Sequence, residues 1–164
     1  MVCREHARGG PGMTPLAIPE VEQLLARDAC AALIVAFAAC NDAHDADGLA
    51  ALFAPDGVLV RPGAAPLHGR AAIAHAYASR PSGRITRHVV SNVQVRLESA
   101  TTATGLSYVT VWSGQLADAE GPFGRRADGR QAVGEFEDRF VRTNDGWRIA
   151  ERRACFVMMR EDAA

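Results

Sequence analysis

Apolar positions recur at helical spacing through the first half of the chain and alternate at strand spacing through the second, which predicts an α+β domain with helices first and sheet last. Pro19 suits the first position of a helix, and Glu20 and Glu22 place carboxylates where the helix dipole favours them. The apolar periodicity then runs to about His44. Asp45 can cap a short second helix over 46–53, which must stop before Pro55 because a residue preceding proline is pushed out of the helical region. Asp56-Gly57 turns the chain into a short strand over 57–61, residues 62–69 are rich in turn formers, and 70–79 carries a third helix. Four long strands follow, over 86–98, 102–115, 131–143 and 147–160, with turns at Ser99-Ala100-Thr101 and Asn144-Asp145-Gly146, as in an antiparallel meander. The connection 116–130 is longer than a tight hairpin and is expected to border the mouth of a site.

Composition narrows the function classes. The 164 residues suit one domain, read as 14–164 after a disordered extension over 1–13 to which no function is given. With 48% hydrophobic and 23% charged residues the chain has the composition of a globular protein. Its charges are dispersed and sum to −1, so no basic stripe is offered to a nucleic acid. The longest apolar run, 29–40, is short of the roughly 20 residues a membrane span needs and reads as a buried helix, so no membrane partner is expected. The first dozen residues hold no apolar core of the kind that directs secretion, which favours the cytoplasm. Cys3, Cys30, Cys40 and Cys155 lack metal-ligand spacing and are expected as reduced thiols, the last three buried. No phosphate loop or dinucleotide fingerprint occurs, so neither a metal nor a cofactor is implied.

Three stretches carry a resemblance: Asn41-Asp42-Ala43-His44-Asp45 leading into residues 49–57, Arg87-His88 onward to Gln94, and residues 140–149 ending Asp145-Gly146-Trp147-Arg148-Ile149. Their order and spacing resemble the SnoaL-like, nuclear transport factor 2-like family over roughly residues 18 to 160. The resemblance implies three helices packed on the concave side of a strongly curved mixed sheet, a cone with one internal pocket for a small hydrophobic molecule. It also implies a homodimer through the outer face of the sheet, which would explain apolar residues on both faces of one strand, as at Val89, Val90, Val93 and Val95.

Asp42 ends a helix on which Ala31, Val35 and Ala38 precede it at steps of four, three and four, so a carboxylate terminates an apolar stripe. It is either a pocket group or a solvated helix end. His88 opens the long strand over 86–98, and imidazole is the side chain best able to exchange a proton near neutrality. The pair resembles the Asp/His pair of scytalone dehydratase and hexachlorocyclohexane dehydrochlorinase, which implies His88 as base and Asp42 as its orienter. Asn41 stands where the first of these enzymes has tyrosine and Phe37 where the second has lysine, so neither specific reaction carries over. Plain alternation puts His88 on one face with Val90, Asn92, Gln94 and Arg96, and Val89, Val93, Val95 and Leu97 on the other; the face of His88 is then a pocket wall or the outer surface.

Phe37, Phe53, Leu59, Tyr108, Trp112, Phe136 and Phe140 are candidate pocket walls, with Tyr108 and Trp112 ranked first because they share a strand face and can hydrogen-bond. Asn92 can orient a polar substrate atom. Arg152 matches a cationic pocket residue by the resemblance, or pairs at the surface with Glu135 or Glu137. Two functions follow: a cofactor-independent lyase, isomerase or cyclase moving a proton with Asp42 and His88, or a non-catalytic module that binds a ligand or assembles.

Overall fold

The computed structural model describes residues 18–161. The expected extension over 1–13 lies outside the described residues. Three helices and six strands follow one another as α1 (Glu20–Asp42), α2 (Ala46–Ala51), β1 (Phe53–Val60), β2 (Leu67–His68), α3 (Gly69–Ala78), β3 (Arg84–Leu97), β4 (Thr102–Gln115), β5 (Gln131–Thr143) and β6 (Gly146–Arg160). The strands form one mixed sheet in the order β2-β1-β6-β5-β4-β3. β3 to β6 make the expected antiparallel meander, and β1 returns parallel to β6.

Local chemistry sets the helix ends that matter for the site. α1 stops in a turn where His44 takes the left-handed conformation, φ 58°, and its N–H and that of Asp45 reach back to the carbonyls of Asn41 and Cys40 at 3.3 and 2.9 Å. This closes the last carbonyls of the helix. His44 Nε2 donates to the Arg84 carbonyl at 2.9 Å, tying the end of α1 to the start of β3. Asp45 caps α2, its Oδ1 accepting from the Gly48 N–H at 2.8 Å.

The buried stripe of α1 is Ala26, Cys30, Ile34, Phe37, Ala38 and Asn41. It lies one position away from the stripe expected through Ala31 and Val35, and Val35 is 54% exposed. The larger side chains decide which face turns inward, because burying them removes more apolar area from water. By length and composition the whole of α1 could cross a membrane, yet here it lies over the sheet with that stripe covered. Phe37 sits at the centre of the core, edge-to-face with Phe53, Tyr77 and Phe136 at 6.1, 6.1 and 5.7 Å between ring centroids.

β3 departs from plain alternation. Its pairing with β4 shifts register between Ser91 and Gln94, and Asn92 there has φ 51°. This bulge inserts one residue and reverses which side chains point inward. Thr86, His88 and Val90 face the helices before it, and Val93, Val95 and Leu97 face them after it. The expected division of His88 and Val93 onto opposite faces is thereby overturned.

Candidate functional site

Against the helix-facing side of the sheet lies a cavity of about 220 Å³. Phe37, Leu59, Val109, Val111 and Phe136 give it apolar walls, and Asn41, Arg61, Tyr77, Arg80 and His88 form a polar end. Most small-molecule sites share this division, although their usual volume is roughly 300–1,000 Å³. A larger hollow of about 610 Å³ lies against the outer face, rimmed by Glu137, Arg139, Glu151 and Arg153, and it contains none of Asn41, Asp42 or His88. The carboxylates of that hollow lie among arginines, as Glu151 does with Arg153, whereas the smaller cavity is lined by an imidazole and is the better candidate.

At the polar end, Asp42 and His88 are joined. Asp42 Oδ1 lies 2.6 Å from His88 Nδ1 and accepts from Thr86 Oγ1 at 2.9 Å, while Oδ2 accepts from the His88 backbone N–H at 2.8 Å. Three donors from β3 therefore fix one carboxylate from α1. The two side chains are 15% and 11% exposed, withdrawn from bulk water but reachable from the cavity.

Asn41 completes the arrangement. Arg80 Nη1 donates to its Oδ1. A guanidinium can only donate, so the amide oxygen must face Arg80 and the amide nitrogen must face His88. Asn41 Nδ2 lies 3.2 Å from His88 Nε2. Since an amide N–H also only donates, Nε2 must carry the lone pair and Nδ1 the proton, which goes to Asp42. The chain Arg80, Asn41, His88, Asp42 thus selects one imidazole tautomer and leaves a basic nitrogen at the cavity wall. Sequence reasoning gave Asn41 no role beyond a departure from the resembling enzymes and did not single out Arg80. The step pattern Cys30, Ile34, Phe37, Asn41, carrying the bulkier residues of α1, was the available signal.

The other expected site residues divide into three groups. Phe37, Leu59 and Phe136 line the cavity, and Phe53 lies behind Phe37, fully buried. Arg152 is also fully buried. It forms a bidentate pair with Asp138 at 2.7 and 2.7 Å, between the rings of Phe37 and Phe136 at 4.3 and 4.4 Å. Its partner is thus neither Glu135 nor Glu137, which precede Asp138 on β5 by three residues and one and alternate onto the outer face. Asn92 forms the bulge and is exposed. Tyr108 and Trp112 do share a face, but it is the outer one, where they are 39% and 44% exposed. β4 instead turns Ala103, Ser107, Val109 and Val111 inward, and of these Val109 and Val111 line the cavity. The connection 116–130 is tied to the end of β4, with Asp128 accepting from Ser113 Oγ at 2.6 Å, and supplies no lining residue of the cavity.

Cysteine chemistry contributes no nucleophile here. Burial, with the Asp138 carboxylate adding to it, pushes the Cys30 thiol up to about 12. Cys155 is disulfide-bonded, against the expectation of reduced thiols, while Cys30 and Cys40 are free. Among the described residues no cluster of His, Cys, Asp and Glu is arranged to hold a metal.

Residues 22–153 match the family model of the SnoaL-like domain. The chain belongs to the SnoaL-like family. Solved structures agree on the fold of this SnoaL-like protein. A protein from Novosphingobium aromaticivorans, provisionally described as a scytalone dehydratase, superposes with a TM-score of 0.73 at 19% identity, covering 88% of this chain and 92% of that one. A type 2 hexachlorocyclohexane dehydrochlorinase gives 0.75 at 15% identity over 89% and 95%. An NTF2-like protein of cystatin-like fold, also from Novosphingobium aromaticivorans, gives 0.64 at 24% identity over 88% and 87%. At such identities these likenesses establish an NTF2-like fold and carry no reaction with them. No curated protein matches the chain.

Proposed function

We propose that this SnoaL-like protein is a cofactor-independent lyase, isomerase or cyclase that moves a proton on a small, largely apolar molecule, with His88 as general base and Asp42 as its orienting partner. The observation that carries the reading is the 2.6 Å contact of His88 Nδ1 with Asp42 Oδ1, combined with an Nε2 lone pair at the cavity wall. In the forward step a bound substrate displaces the Asn41 amide from Nε2, and Nε2 takes a proton from a substrate carbon. The electron pair left behind either moves onto an adjacent carbonyl or expels a leaving group, and the imidazolium returns its proton to the product or to that leaving group. Asp42 holds the ring and stabilises the positive charge while it lasts.

The test begins without a known substrate. Thermal-shift screening of a small-molecule library against wild type and His88→Ala identifies cavity ligands. Incorporation of solvent deuterium into each hit is then followed by proton NMR. Wild type is expected to exchange a carbon-bound proton of at least one hit about 10²-fold or more faster than His88→Ala does. Ligands that bind both proteins equally and never exchange would instead identify a binding module.

A further inference from the structure

The charge of the cavity wall is unbalanced. Arg61 and Arg80 line it, His88 lines it, and no carboxylate does. The third guanidinium nearby, Arg152, is neutralised by Asp138 beneath the floor. Among the described residues Arg61 and Arg80 have no such partner in an ion pair. Arg61 Nε is buried and makes no hydrogen bond, and Arg80 spends one donor on the neutral amide of Asn41. Both guanidiniums lie near one ring, that of Tyr77, at 6.0 and 5.6 Å from its centroid. A desolvated cation without a counter-charge is costly, and a buried donor left unpaired costs more than a net hydrogen bond returns. A ligand bearing negative charge removes both costs.

We infer that Arg61 and Arg80, flanking Tyr77 at the polar end of the cavity, bind an anionic oxygen group, so that the ligand is a one- or two-ring aromatic or alicyclic acid with its ring against Phe37 and Phe136. The chemistry is selective in two ways. A guanidinium fork matches the two oxygens of a carboxylate, and the apolar remainder of the wall accepts only an uncharged hydrocarbon body. The cavity volume of about 220 Å³ limits that body to a compact ring system. Burial raises the Tyr77 hydroxyl above its ordinary range despite the opposing pull of Arg61, Arg80 and Arg152, so at neutral pH the phenol remains a neutral donor and adds no negative charge to the site. The inference rests on the cavity identified above but not on His88 acting as a base.

Matched ligand pairs test it by calorimetry on the full chain: benzoate, phenylacetate and 2-naphthoate, each beside its primary amide. At least one acid is expected to bind wild type roughly tenfold or more tighter than its amide, with the preference falling as salt is raised. Arg61→Gln and Arg80→Gln should each remove about tenfold from the acid and leave the amide within about twofold. Arg61→Lys should retain part of the preference through charge alone. His88→Gln should keep the acid preference while losing deuterium exchange, which separates failure of this inference from failure of the proton-transfer reading. Equal binding of every acid and its amide to wild type would overturn the inference, as would an acid preference untouched by both glutamine variants.

Discussion

Two carboxylate–nitrogen pairs lie within the same core, and their difference separates chemistry from scaffold. Asp42 with His88 and Asp138 with Arg152 have nearly the same separation, 2.6 and 2.7 Å. The first joins a helix end to a strand and remains 15% and 11% exposed; the second spans neighbouring strands at paired register and has no exposure at all. A guanidinium keeps its proton through any neutral reaction, so the buried pair is a fixed dipole beneath the Phe37 and Phe136 rings. An imidazole can gain and lose one. Partial access to the cavity lets that exchange reach a substrate, whereas complete burial serves only to hold the floor in place.

Asp42→Asn should show this contrast most strongly. Asp42 Oδ2 faces the His88 backbone N–H, which cannot change its role, so an asparagine must keep its oxygen there and turn its NH2 toward Nδ1. The ring is then driven to the other tautomer, with a proton on Nε2 facing the Asn41 amide donors. Proton transfer on a ligand found by screening should fall on the order of 10²- to 10⁴-fold, with the fold retained. Long-range nitrogen–proton NMR of the ring tests the cause directly. If Nε2 stays unprotonated in the variant, the tautomer argument fails.

The buried pair should respond in the opposite sense. Arg152→Met alone leaves the Asp138 carboxylate buried and unpaired, at a cost of about 3–5 kcal/mol. For a domain of this size that lowers the melting temperature by roughly 6–20 °C. Asp138→Leu combined with Arg152→Met removes both charges and should recover most of the loss. Calorimetric melting of the two variants measures the contrast, and a double variant no more stable than the single one would show that the pair itself is needed. At a temperature where the double variant is folded, its proton-transfer rate should stay within about tenfold of wild type, since neither residue touches the base.

How much of this could be read from the chain follows the strength of each local pattern. β4 and β5 begin and end where their alternation does, and Asp45 caps α2 as its position before a short apolar run indicated. β2 has only two residues within a Pro- and Gly-rich connection and leaves no periodic trace. β1 starts at Phe53, earlier than Gly57, because a register shift between Phe53 and Val58 lets the strand accommodate Pro55. The pairing of Asp42 with His88 came from family resemblance, since no local pattern links residues so far apart. Tyr108 and Trp112 share a face and can hydrogen-bond, but alternation alone does not say which face of β4 turns to the helices, and theirs is the outer one. Asn41 shows in the sequence only as a departure from the tyrosine of scytalone dehydratase, and its use depends on Arg80, whose position only the folded chain reveals.

The bulge at Asn92 ties the first pair, and not the second, to a single backbone feature. Its φ of 51° lies in the left-handed region, where asparagine is tolerated, glycine is free and a β-branched residue is strained. Asn92→Gly should therefore match wild type or gain up to about 1 kcal/mol, while Asn92→Val should lose about 1–2 kcal/mol. Urea denaturation measures both changes. Because the extra residue lets His88 and Leu97 share the inner face, strain at position 92 is relieved most directly by slippage of β3. Ring signals of His88 should broaden or shift in Asn92→Val, and side-chain signals of Arg152, three strands away beyond β4 and β5, should not. If the valine variant is as stable as wild type with an unmoved His88, the bulge is not what holds the base in the cavity.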